Sequence, residues 1–154
     1  MHEFEGSFHD NKAMKVAIVI AQFNSHITEG LLAGALEALK KYGVKSEDIS
    51  IAKVPGALEV PVTIQKMAEK QKPDACIAIG CVIKGATDHY HHVSNLSSAA
   101  VADLALKLNI PILNCILTTE NLEQAVERSG VKLGNKGFEA AVAAVEMVSL
   151  FRKL

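Results

Sequence analysis

Tryptophan is absent from the 154-residue chain, and Phe and Tyr together supply only 5% of it. The 49% hydrophobic content is therefore carried by aliphatic side chains and alanine. Long apolar runs are missing too: Ala75 to Ile83 is the longest, well short of the roughly 20 residues that cross a bilayer. No membrane partner is expected. Charge of one sign is scarce, with 16 basic against 17 acidic residues and no basic run beyond pairs such as Lys40-Lys41. A polyanion finds no footprint on such a chain, so nucleic acid is not an expected partner. Residues Met1 to Lys12 carry Glu3, Glu5 and Asp10 and lack a basic start followed by an apolar block. They do not read as a secretory signal, and a cytoplasmic location is expected. The three cysteines, Cys76, Cys81 and Cys115, form no CxxC pair and sit in apolar segments, which predicts buried free thiols and no metal site. Neither GxxxxGK[ST] nor GxGxxG occurs, which argues against a Walker loop and against NAD or FAD.

What the chain does have is alternation. Four apolar runs, Val16 to Ala21, Ile49 to Val54, Ala75 to Cys81 and Ile112 to Leu117, are separated by segments of helical period. Runs that are continuously apolar suit parallel strands buried on both faces. Between them, Ile27, Leu31, Ala35 and Leu39 form one helical stripe closed by Gly43. A second helix begins near Leu58 with Pro61 in its first turn. Val93, Leu96, Ala100, Leu104 and Leu108 mark a third, ended at Asn109 to Pro111. A short fourth covers about Asn121 to Ser129, and a fifth about Lys136 to Phe151. The pattern predicts one α/β domain over residues 1–154: a three-layer, flavodoxin-like open sheet of four parallel strands flanked by helices. The alternation of Phe4, Gly6 and Phe8 adds a short N-terminal edge strand, which would seek a neighbour's sheet edge if its own subunit offered no partner. Alanine clusters at Ala99 to Ala105 and Ala140 to Ala144 suit close packing against another subunit.

Ligands of open α/β sheets bind outside the carboxyl ends of the strands, so the residues after each run carry the functional reading. The turn Lys84 to Asp88 contains Gly85 and leads into a helix; backbone N–H groups there, with Ala86 and the Thr87 hydroxyl, suit a phosphate. His89 follows that turn at the start of a helix, placed to take and return a proton. Phe23, just past the first strand, can stack on a planar ring. Glu59 can accept from substrate hydroxyls or a ring N–H. Arg128 complements the carboxyl end of its helix and could fork onto a phosphate. The spacing of His89, His91 and His92 is poor for a metal.

Four motifs carry a resemblance: VPGALEVP at Val54 to Pro61, IGCVIKGATDHYHHV at Ile79 to Val93, TTENLEQAVERSG at Thr118 to Gly130, and GNKG at Gly134 to Gly137. Together they resemble the lumazine synthase family, in the family's order and over most of the chain. The resemblance implies a transferase of riboflavin biosynthesis. It would condense 5-amino-6-(D-ribitylamino)uracil with 3,4-dihydroxy-2-butanone 4-phosphate through a Schiff base, with loss of phosphate and no cofactor, metal or redox step. Carried over by position, His89 is the proton-transfer histidine and Phe23 the stacking ring. Ala57, Leu58 and Glu59, with Cys81, Val82 and Ile83, form the ring and ribityl pocket, while Ala86 and Thr87 form the phosphate turn. Arg128 is the phosphate arginine and reaches the pocket from the adjacent subunit, with Lys136 assisting. Two positions depart from the family: Asn114 stands where many members have phenylalanine, and Lys84 replaces a common arginine.

The resemblance further implies pentamers. The short path from Arg128 to Gly137 favours their assembly into a 60-subunit shell, with riboflavin synthase as a partner. Two rivals remain in view, an archaeal-type riboflavin synthase and a non-enzymatic flavin carrier. The combined presence of GATDH and Arg128 argues against the first, and retention of His89 and Arg128 against the second.

Overall fold

The computed structural model describes residues 1–9, 11–131 and 134–154. Its strands are β1 (Val16–Ala21), β2 (Ile49–Val54), β3 (Ala75–Ile83) and β4 (Ile112–Thr119). Its helices are α1 (Ser25–Lys41), α2 (Val60–Gln71), α3 (His89–Leu108), α4 (Leu122–Arg128) and α5 (Lys136–Phe151), with short 3-10 turns at Ser46–Asp48 and Ala57–Glu59. The sheet order is β2-β1-β3-β4 and every pair is parallel. The chain leaves β1 toward one edge and returns past it to build β3 and β4, which is the doubly wound, flavodoxin-like arrangement. A switch point therefore lies between β1 and β3.

Alternation along β1 sends side chains to opposite faces. Val16, Ile18 and Ile20 join Ile77, Ile79, Ile27, Leu31 and Val145 beneath α1 and α5. Ala17, Val19 and Ala21 join Ala78, Val60, Ile64 and Val101 beneath α2 and α3. At about 0.8 kcal/mol per buried methylene, the isoleucine-rich α1/α5 face supplies the larger share of core stabilisation. Helix ends follow the sequence signals: Gly43 has φ +85° just beyond α1, and Asn109 takes the left-handed conformation after α3. At the start of α5, a Cβ on Gly137 would overlap the Leu31 main chain, so this glycine lets α1 and α5 cross at backbone contact.

Three expectations change. Burial on both faces holds for β1 and for most of β3, but β2 buries only Val54, and β4 exposes Asn114 and Thr118. These two strands are the sheet's edges and have a neighbour on one side only. Strands β3 and β4 also run two residues further than the predicted strands, because Val82 and Ile83 pair with Thr118 and Thr119. Among the described residues the expected N-terminal edge strand makes no ladder. Its residues find partners on α5 and just past the ends of α1 and α5 instead: the Ser7 N–H donates to Ser149 Oγ at 3.0 Å, Lys153 Nζ to the Glu5 carbonyl at 2.8 Å, and Phe8 lies against Tyr42 at 5.3 Å. Among the described residues neither sheet edge is paired further. Lys132 and Leu133, within the link from Arg128 to Gly137 on which the shell expectation rests, lie outside the described residues, as does Asp10.

Candidate active site

A cavity of about 510 Å³ opens at the carboxyl ends of β1, β2 and β3, over the switch point. Its first wall is the turn after β1. The N–H groups of Gln22 and Phe23 donate to the carbonyls of Val54 (2.7 Å) and Pro55 (3.0 Å), carrying the β1–β2 ladder past the strand ends. Asn24 follows in the left-handed conformation, φ 56° and ψ 43°, and its Nδ2 donates to the Cys81 carbonyl at 2.9 Å. The turn is thus tied to both neighbouring strands. Phe23 is left 71% exposed at the cavity wall, available to cover a planar ligand.

The second wall is the Ala57–Glu59 turn, with Ala57 buried, Leu58 exposed and the Glu59 carboxylate beside Gly56. Cys81, Val82 and Ile83 at the end of β3 form a third. The Lys84 to Asp88 turn closes the rim. The Lys84 N–H donates to the Thr119 carbonyl at 2.9 Å, and Lys84 Nζ pairs with Glu120 at 3.2 Å, holding the start of the turn against the end of β4. Gly85 and Thr87 line the cavity; Ala86 sits exposed between them and is not part of the lining. His89, the first residue of α3, also faces the cavity.

Burial raises all three thiols: Cys81 from an ordinary 9.0 to about 11, and Cys76 and Cys115 to about 12. At Cys115 the Glu139 charge adds to that rise and the Lys136 charge opposes it. A thiol so raised stays protonated near neutrality and is a poor nucleophile, so Cys81 serves the cavity as an apolar wall. Among the described residues, no group of three or more His, Cys, Asp or Glu side chains is arranged to hold a metal ion. No helix there is long and apolar enough to cross a membrane.

Arg128 and Asn114 do not join this cavity. They line a second one, of about 530 Å³, between β4 and the start of α5, together with Lys136 and Glu139. Arg128, the last residue of α4, donates from Nη1 to the Gln124 carbonyl at 2.9 Å, and Lys136 pairs with Glu139 at 2.7 Å. Asn114 Oδ1 accepts the Ile116 N–H at 3.0 Å. The two cavities share no lining residue.

Sequence reasoning missed Asn24, Tyr90, Val93 and Glu139. Val93 marks the stripe of the third helix, and it also lines the first cavity with Tyr90. Glu139 was legible as the i+3 partner of Lys136. Asn24 left a weaker signal, an asparagine three residues past the strand, where the chain must turn.

Fold and cavity together define an α/β protein with a ligand-sized cavity at the switch point of a parallel sheet. Residues 13–152 match the 6,7-dimethyl-8-ribityllumazine synthase family, and the chain belongs to that family. It is an enzyme with the family's small-molecule substrates and reaction, formation of the lumazine from the ribitylaminouracil and the dihydroxybutanone phosphate. Among solved structures, a de novo designed Rossmann fold protein is similar at 18% identity and a TM-score of 0.41, covering 73% of this chain and 90% of that one.

Proposed function

We propose that the first cavity receives the pyrimidine and its ribityl chain, and that the second cavity of a neighbouring copy completes the site with a phosphate ligand. The observation that carries this is the division of the site: His89 and Arg128 line separate cavities, so one chain holds only part of the constellation. In this reading Phe23 stacks on the ring. Ala57, Leu58, Glu59, Cys81, Val82 and Ile83 hold the ring and ribityl chain. Ala86, Thr87 and the backbone at the start of α3 take the phosphate, joined by Arg128 and assisted by Lys136 from next door. Asn114 supplies a polar wall from the same side.

The chemistry asks for positioning, proton transfer and an anion site. The pyrimidine amine adds to the ketone and water leaves, giving a Schiff base. Phosphate is eliminated, and the second nitrogen closes the ring with loss of water. His89 passes protons during these steps, and Thr87 with Arg128 stabilises the departing phosphate. No resident metal or redox cofactor enters this scheme.

One domain spanning 1–154 would assemble as pentamers, gathered into a 60-subunit cytoplasmic shell that serves riboflavin synthase. Supporting features are the outward α3 stripe, with Leu96 61% and Leu106 84% exposed beside Ala99, and an N-terminal segment that finds no strand partner among the described residues. The test mixes purified protein with both substrates and follows lumazine fluorescence and phosphate release. Rates no faster than the uncatalysed condensation overturn the proposal.

A further inference from the structure

The carboxamide of Asn135 uses its whole hydrogen-bonding capacity on three elements. Its Oδ1 accepts the N–H groups of Gly137 (2.8 Å) and Phe138 (3.1 Å), capping α5. Its Nδ2 donates to the Gly30 carbonyl in α1 (2.8 Å) and to the Ser129 carbonyl (3.1 Å), the residue directly after Arg128. An amide has two hydrogens and two acceptor lone pairs, so nothing is left over for a ligand. The surroundings are shaped to this one side chain. A Cβ on Gly34 would overlap the carboxamide, and one on Gly130, whose φ is +114°, would come within 3.0 Å of Nδ2. Ser129 and Asn135 also form an isolated antiparallel bridge.

Capping α5 needs only Oδ1. The two Nδ2 bonds do something a cap does not require: the one to Ser129 ties the end of α4, which carries Arg128, to the start of α5, which carries Lys136, and the one to Gly30 anchors that junction on α1. Both cations line the second cavity. Their separation is therefore set through Asn135, and a phosphate held between two cations is sensitive to that separation.

We propose that Asn135 is a positioning residue that holds Arg128 and Lys136 at the spacing with which the second cavity binds phosphate. This rests on the reading of Arg128 as the phosphate ligand. The test uses inorganic phosphate as the probe, titrated by calorimetry into the purified assembly. Asn135→Ser keeps a neutral capping oxygen but removes both amide N–H donors; Gly34→Ala keeps Asn135 and crowds its carboxamide from α1. Each is expected to bind phosphate about tenfold more weakly, the scale of one or two lost hydrogen bonds. The KM for the ribitylaminouracil should stay within about twofold, and adding Asn135→Ser to Arg128→Ala should weaken phosphate no further. A purely structural role would lower the unfolding midpoint and leave phosphate affinity unchanged, which overturns the proposal, as does full additivity with Arg128→Ala. If Asn135→Ser fails to fold, Gly34→Ala carries the same test. Phosphate binding indifferent to Arg128→Ala would instead remove the reading of Arg128, and this proposal with it. Phosphate binding that depends on Arg128 and Asn135 in an assembly that forms no lumazine would leave this proposal standing and reject the reaction.

Discussion

Asn24 Nδ2 donates to the Cys81 carbonyl at 2.9 Å, joining the turn after β1 to the last turn-ward stretch of β3. That bond spans the switch point, with Phe23 on one side of the cavity and Val82 and Ile83 on the other. It sets how far the aromatic ring stands from the opposite wall. Asn24→Ala loses the bond and also places a less tolerant residue at φ 56°. The expected outcome is a KM for the ribitylaminouracil raised about three- to tenfold, with the KM for the phosphate substrate little changed. Steady-state kinetics with each substrate varied in turn checks it; equal effects on both would contradict it.

His89 and Arg128 should fail differently. Arg128→Ala is expected to raise the KM of the phosphate substrate, and His89→Ala to lower kcat by about 10- to 100-fold, at the modest end for a proton-transfer group. Positioning supplies much of the acceleration for a condensation that already proceeds unaided, so residual turnover should survive. A near-total loss in His89→Ala would show that proton transfer dominates.

The raised thiols give a pH signature. A group whose pKa rises on folding stabilises the protein fully below its unfolded value, here 9.0, and loses that contribution as pH climbs through the folded values of about 11 to 12. Below about pH 8 the thiols should leave stability flat, and above 9 they should make it fall. Urea midpoints measured from pH 7 to 10.5 should show a steeper alkaline decline in the native protein than in a variant with all three cysteines changed to alanine. Parallel declines would remove the thiols as the cause.

Lys72 closes α2 at φ 49°, with its N–H on the Ala68 carbonyl and Pro73 next in sequence. A left-handed helix end is where glycine is favoured. The side chain of Lys72 is exposed, so replacing it removes no core contact. Lys72→Gly should stabilise the fold by about 0.5–1 kcal/mol, read as a higher urea midpoint.

Most of this fold was legible because its signals are local. Each apolar run became a strand, Gly43 and Asn109 closed their helices, and Pro61 opened α2. Strand ends were not legible, since Thr118 and Thr119 look like loop residues until Val82 and Ile83 pair with them. The edge character of β2 and β4 was also hidden, because strand order is a property of the assembled sheet. Of the first cavity's lining, Phe23, Glu59, Thr87 and His89 could be found from their places after strands. Asn24 could not be given a role, as its partner Cys81 lies 57 residues away. Asn135 was visible only as one letter of a motif. Its function rests on carbonyls of Gly30 and Ser129 that no local pattern connects.

The division of His89 and Arg128 between two cavities makes the sharpest prediction about assembly. If each site takes His89 from one copy and Arg128 from its neighbour, two variants that are each defective can rescue one another. Subunits carrying His89→Ala, unfolded and refolded together in equal amounts with subunits carrying Arg128→Ala, would form some sites with both residues intact. Random placement around a closed ring makes that about a quarter of all sites. Activity should therefore rise from the low level of either variant alone to roughly a quarter of the native value, and only after co-assembly, not after mixing preformed particles. Sites built within a single chain give no such recovery, because every chain then carries one lesion. Activity unchanged by co-assembly, with mixed particles verified by mass spectrometry, would return both residues to one subunit.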